Sequence, residues 1–256
     1  MTKARSTFVR GAVLSVVLGL TSLTAVGPAH AEPQLLASQF KVNQAEPESS
    51  VPTPEQAMRK PLEMGYFLMD LAELAQRAEQ KSDYPAAIRF YRAMAKAVPD
   101  RSIAFSKQCA AYQALGNRKN ALETCQAALG LLGSTAEDYA RFVNVMVEGN
   151  TPLSATNIAD VDAVVAHLQQ EAKDRPEVVQ LSAELACKLA MRLADDTRMR
   201  ACTQRLEKLA PAAATTFTFR WARAMQLHDS SQVRQIIGEA SRAGLPPALI
   251  AHMNDG

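Results

Sequence analysis

The chain has 256 residues, with 28 Lys and Arg against 26 Asp and Glu, 48% apolar residues and only 5% aromatic ones. A composition rich in Ala, Leu, Gln, Arg and Glu, and poor in β-branched and aromatic residues, favours helix over sheet. The formal charge of +2 comes without a basic block, which excludes the phosphate-neutralising surface that nucleic-acid binding needs.

Residues 1–31 read as a secretory signal peptide. Lys3, Arg5 and Arg10 precede an apolar run from Ala12 to Val26, followed by Gly27-Pro28 and the small-x-small site Ala29-His30-Ala31. The alternative is an uncleaved anchor. Against it, the run spans 15 residues broken by Ser and Thr, where a membrane span needs about 20. No Cys stands at the cleavage site to carry a lipid. Cleavage takes Lys plus Arg from 28 to 25 against 26 acids, so the charge becomes −1. The expectation is an exported protein, periplasmic or secreted, with no membrane span after cleavage.

Residues 32–52 read as a flexible linker. Glu46-Pro47-Glu48-Ser49-Ser50 and Pro52 lack helical periodicity and offer little to bury. A single helical domain is expected over 53–256. Its first helix starts at Thr53-Pro54-Glu55-Gln56, a capping box with Pro at the first helical position. Pro61 restarts the chain into a longer helix, whose stripe is Phe67, Leu68, Leu71, Leu74, Ala75 and Ala78.

Ser82-Asp83-Tyr84-Pro85 turns the chain into a second stripe of Ala87, Ile88, Tyr91, Met94 and Ala95, ending at Val98-Pro99-Asp100. The next pair carries Phe105, Cys109 and Tyr112, turns at Gly116-Asn117, and returns through Ala121, Leu122, Cys125, Ala128 and Leu129. One constant shift lays Leu71 on Phe105, Ala75 on Cys109, Ala78 on Tyr112 and Ala87 on Ala121. That is an internal repeat.

These two units, 68–101 and 102–133, resemble tetratricopeptide repeats. In that family large residues open helix A, a small residue lies at its middle and a Tyr near its end. A small residue then opens helix B, an aromatic follows four positions later, and Pro comes after the helix. The first unit matches at Ala87, Tyr91 and Pro99 but has Ala78 where Tyr is usual. The second matches at Phe105, Tyr112, Ala121 and Ala128 but ends in Gly133. The repeat-defining core is therefore Leu71, Leu74, Ala75, Ala87, Tyr91, Phe105, Tyr112, Ala121 and Ala128. The resemblance implies an all-α solenoid and a partner-binding role; it says little about which partner.

Beyond the two best units the chain stays helical. A third pair is expected over 135–147 and 155–172, joined by Gly149-Asn150-Thr151-Pro152. Asp174-Arg175-Pro176-Glu177 reads as a capping box opening a helix through Leu181, Leu185 and Leu189, which turns at Asp195-Asp196 into a partner helix ending near Pro211. A fifth pair runs from about 213 to 243 around His228-Asp229, and a short terminal helix follows Gly244-Leu245-Pro246-Pro247. The expected architecture is an α-solenoid of about five antiparallel hairpins.

Four cysteines allow three pairings. Cys109 and Cys125 lie eight residues either side of Asn117, and Cys187 and Cys202 straddle Ala194-Asp195 in the same way. Equal distances from a hairpin turn put two residues opposite each other. Helix axes about 8–10 Å apart then bring facing Cα atoms near the span a disulfide needs. The expectation is Cys109–Cys125 and Cys187–Cys202, in keeping with export. The alternative is four buried thiols.

No catalytic, cofactor or metal site is expected. After cleavage only His167, His228 and His252 remain, each isolated from other ligand types. Paired acids such as Asp160 and Asp162, or Asp195 and Asp196, sit where helix starts and turns favour them. Nucleophile elbow, phosphate loop and dinucleotide fingerprint are all absent from the sequence. Trp221 is expected to pack on a neighbouring hairpin, and Arg220, Arg223 and Arg234 to face solvent.

The repeat register gives a candidate partner-binding groove of Met69, Ala72, Gln76, Ile103, Ser106, Ala110 and Gln113. Some tetratricopeptide domains hold a peptide C-terminus with Lys and Asn on helix A; Ala72 and Gln76 stand at the matching positions here, so that clamp is missing. The functional expectation is an extracytoplasmic adaptor for a protein or peptide, in envelope assembly or secretion. The alternatives are a hydrolase using His167 and acids in a cleft, and a structural subunit of an oligomer.

Overall fold

The periodic stripes fold as helices, with a side-chain cap at some starts and none at α2, α4, α8 and α10, whose ranges follow. In the computed structural model, residues 40–149, 151–172 and 174–255 are described; the expected signal at 1–31 and the linker as far as residue 39 lie outside them. The described residues form twelve α-helices and no strand: α1 (Pro54–Arg59), α2 (Pro61–Gln80), α3 (Tyr84–Ala97), α4 (Ser102–Ala114), α5 (Arg118–Ala128), α6 (Ala136–Val147), α7 (Ala155–Glu171), α8 (Pro176–Leu193), α9 (Asp196–Leu209), α10 (Ala214–Gln226), α11 (Ser230–Arg242) and α12 (Pro247–Asp255). Each helix from α2 onward packs on the next in chain order, and α6 also touches α8, as α8 touches α10.

Four of the hairpins share one turn. The residue before the second helix's N-cap is left-handed: Ser82 (φ 57°), Gly116 (φ 69°), Ala194 (φ 52°) and His228 (φ 54°). The N-caps that follow, Asp83, Asn117, Asp195 and Asp229, each accept a hydrogen bond from the backbone N–H three residues on. The interval from Ser82 to Gly116 is the repeat period of the first two units, and Ala194 and His228 are separated by the same interval. The same interval between left-handed turns thus recurs in the later part of the chain, which side-chain matching alone did not reveal. The α6–α7 pair departs from this turn: a longer loop with Gly149 at φ 83° leads to a Ser154–Asn157 capping box.

One cap differs from the sequence reading. The helix α8 begins at Pro176 with Arg175 as N-cap and no side-chain cap hydrogen bond. Proline at the first helical position fixes the start one residue too late for Asp174 to serve.

The core follows chain order in four clusters. Phe67, Leu71, Ala75, Phe90, Tyr91 and Ala104 fill the first, and the largest joins Cys109, Tyr112, Phe142, Val161, Leu168 and Leu185. Two more lie around Cys187, Met199 and Leu206 and around Phe217, Ile236 and Met253. Of the repeat-defining residues, Leu71, Ala75, Ala87, Tyr91, Tyr112, Ala121 and Ala128 are buried, while Leu74 and Phe105 are partly buried against the first cluster.

The linker reading needs correction where it is described. Residues Pro47–Ser50 form a 3-10 turn against α3, with Pro47 buried. Pro52 is buried as well, and Phe40, Val42 and Val51 pack on the first cluster. Lys96 Nζ donates to the Glu48 carbonyl at 2.9 Å. Two prolines lower the entropy lost on ordering, and three spaced apolar anchors suffice without helical periodicity.

Candidate binding surface

The cysteines set the rigidity of two hairpins. Cys109 and Cys125 join α4 to α5 with Cα atoms 5.1 Å apart, and Cys187 and Cys202 join α8 to α9 at 5.4 Å. All four side chains are buried. Each pair lies across a shared left-handed turn, which is why equal spacing from that turn identifies the partners.

The proposed groove residues are not equivalent. Met69 on α2 and Ile103 on α4, one repeat apart, are 56% and 53% exposed although both are large and apolar. Gln76 is also exposed, whereas Ala72, Ser106, Ala110 and Gln113 are half-buried. Ala72 packs against the first core cluster. Ser106 is spoken for: its hydroxyl donates to the Asp138 carboxylate on α6. Among the described residues no hydrogen bond or ion pair joins the α2 members to the α4 members.

That Ser106–Asp138 contact is the first of three polar links that the sequence reading missed. Asp138 also closes a capping box with Thr135 and is buried. On the other end of α6, Asn144 Oδ1 accepts from Lys188 Nζ of α8 at 2.7 Å. Glu184 Oε1, one turn before Lys188, accepts from Thr215 Oγ1 of α10 at 2.7 Å and from Gln180 Nε2 at 2.9 Å. The chain of links thus runs α4–α6–α8–α10 through alternate helices. Burial holds the Lys188 ammonium below its usual pKa, with Glu184 and Glu148 opposing the shift. The only available signal was polar residues inside stripes otherwise filled by Leu and Val.

Arginines tie the later helices together, correcting the solvent-facing reading of two of them. Arg220 on α10 reaches Glu207 of α9 at 2.9 Å and Glu239 of α11 at 2.8 Å, and its guanidinium lies over the Phe217 ring. Arg223 Nε donates to Asp196 at 2.6 Å, and that hydrogen bond is the main reason the carboxyl stays below the usual range. Trp221 donates its indole N–H to the Met253 carbonyl at 3.0 Å, so it packs on the terminal helix α12.

His167 lies tilted against Tyr139, ring centroids 4.6 Å apart, and 3.6 Å from Glu171 on the same helix, with the His167 and Glu171 side chains partly open to solvent. Among the described residues no group of three or more His, Cys, Asp or Glu could hold a metal ion, and no helix is long and apolar enough to cross a membrane. Over its described residues the molecule is thus all-helical, with two disulfide-paired hairpins. Comparison with models of known protein families finds no match, and comparison with curated proteins finds none either.

Proposed function

We propose that this chain is an exported, tetratricopeptide-type helical platform that binds a protein or peptide partner through the exposed faces of α2 and α4 that carry Met69 and Ile103. The observation that carries the reading is the pair Met69 and Ile103. They occupy the same position in successive repeats and stay more than half exposed, while Phe67, Leu71 and Ala104 beside them are buried. Large apolar side chains held outward at equivalent positions are a feature of binding surfaces rather than of cores. The recurrence of the left-handed turn at the same period in both halves supports a repeat architecture. The two cysteine pairs and the signal-like N-terminus support an oxidising compartment.

The test places a photo-crosslinking residue at position 69, at position 103, and at the exposed Gln126 of α5 as a control, in cells expressing the intact chain. One protein adduct common to 69 and 103 and missing from 126 is the expected result. Adducts of the same pattern at all three positions, or none at 69 and 103, would overturn the assignment of this face.

A further inference from the structure

The α2 and α4 surface carries opposite charges in its two halves. The constant shift that lays Leu71 on Phe105 also lays Met69 on Ile103 and Glu73 on Lys107. In each helix the charged residue stands four positions after the apolar one, which puts the two side by side on one face. All four residues are exposed. The first repeat thus presents Met69 with an acid, and the second presents Ile103 with a base.

The flanking charges deepen the contrast. Beside Met69, the Asp70 carboxyl is held above its usual range, first by desolvation and then by the negative charge of Glu73. Glu73 is paired with Arg77 one turn on in its own helix, an exposed ion pair of the kind that contributes little. Beside Ile103, Arg101 and Lys107 are both exposed. Among the described residues neither of those two side chains makes a hydrogen bond or ion pair. Acids therefore collect on α2 and unpaired bases at the start of α4.

Building on the reading of this face as the binding surface, we propose that a second copy of the chain covers it, with Met69 against Ile103 and Glu73 against Lys107. A different partner, when present, replaces that copy. Consecutive packed helices joined by short connections are antiparallel, so α2 and α4, with α3 between them, point the same way. A two-fold axis parallel to both and midway between them lays α2 of one copy along α4 of the other, at matching heights. Two-fold symmetry makes every contact twice, giving two apolar pairs and two ion pairs, and Asp70 and Arg101 add to the same attraction. Charge complementarity selects the occupant: the surface already contains the match of each of its halves, and a second copy supplies both at once. Size sets the strength. Two helices about 10 Å apart over the roughly 20 Å length of α4 make a face well below the about 800 Å² per partner of a standard interface. The pair is therefore weak and concentration-dependent, as an exchangeable cover has to be.

The test is sedimentation velocity of the purified chain, both cysteine bridges intact, over a range of concentrations. A monomer–dimer equilibrium that weakens with added salt is expected. Glu73→Lys alone and Lys107→Glu alone each set like charges against each other twice, and each should weaken dimerisation at least about tenfold. An equimolar mixture of the two variants should restore it, because each copy then supplies the charge that the other lacks. Both positions are exposed, circular dichroism shows each variant folded, and recovery in the mixture rules out misfolding as the cause of the loss. A chain that stays monomeric, single variants that dimerise like wild type, or a mixture no better than its components overturns the proposal. Adduct mass in the crosslinking at 69 and 103 separates this proposal from the reading it builds on. A monomeric purified chain with adducts to a different protein sinks the second copy and keeps the binding face. Dimerisation with the recovery described, and adducts to the chain itself alone, keeps the second copy and sinks the different partner.

Discussion

At the scale of single residues, the informative positions are polar groups set into apolar helix faces. Lys188 lies between Leu185 and Leu189, two of the most deeply buried leucines, and its ammonium meets a neutral acceptor, the Asn144 side chain. Burial lowers its pKa from an ordinary 10.5. The sign of the consequence follows from proton counting. Between the folded pKa and 10.5 the unfolded chain holds a proton that the folded chain has lost, so the unfolding free energy rises with pH across that window. Urea unfolding from pH 8 to 11, taken as wild type minus Lys188→Met, should show this slope, and parallel curves would mean that Lys188 titrates normally. Asp138 illustrates the opposite case. Its carboxyl group is buried and accepts hydrogen bonds from Thr135 and Ser106, which is how a buried polar group is satisfied.

At the scale of elements, the unit is the hairpin rather than the helix. A left-handed residue followed by a capping Asp or Asn recurs at Ser82-Asp83, Gly116-Asn117, Ala194-Asp195 and His228-Asp229. Three of those four left-handed positions are not glycine, and a side chain there costs about 1–2 kcal/mol. The N-cap that follows recovers about 1 kcal/mol, so turn and cap work as one device. Two of these hairpins are also bridged. Replacing Cys187 and Cys202 together by Ala opens a loop of about 15 residues and should cost roughly 3 kcal/mol in the chain-entropy model. Denaturant unfolding measures it, and the Cys109 and Cys125 pair should give a loss of similar size. A change under about 1 kcal/mol in both would show that the reduced chain keeps the hairpins closed without help.

At the scale of the described domain, the ends of the helical stack are treated differently. The terminal helix α12 covers the last hairpin through Met253 and the Trp221 hydrogen bond. The first hairpin is covered instead by residues 40–52, laid down through Phe40, Val42, Pro47, Val51 and Pro52. A terminal helix pair needs such cover because it has a neighbouring pair on one side only. A chain beginning at residue 53 should therefore be less stable, since it exposes the apolar surface of the first cluster that Phe40, Val42 and Val51 cover. Thermal unfolding of the truncated and full chains checks this, and an unchanged midpoint would make the strap incidental.

The sequence by itself marked the helices and favoured the cysteine partners found, because both are written locally. Helical periodicity marks the buried stripe, the Thr53 capping box marks the first start, and a hairpin turn makes partner positions symmetric about itself. The strap at 40–52 escaped that reading because its anchors are irregularly spaced and depend on a surface supplied by α2 and α3. The polar links Ser106–Asp138, Asn144–Lys188 and Glu184–Thr215 escaped it too, since they join residues 31 to 44 positions apart. An open cleft beside Arg205, lined by Ala183, Ala186 and Ala201, was decided only by the tertiary structure. Helices α8 and α9 must come together before the alanine-lined cleft exists, and α7 must join them before Arg198 meets Asp162 while Arg205 is left without an acid.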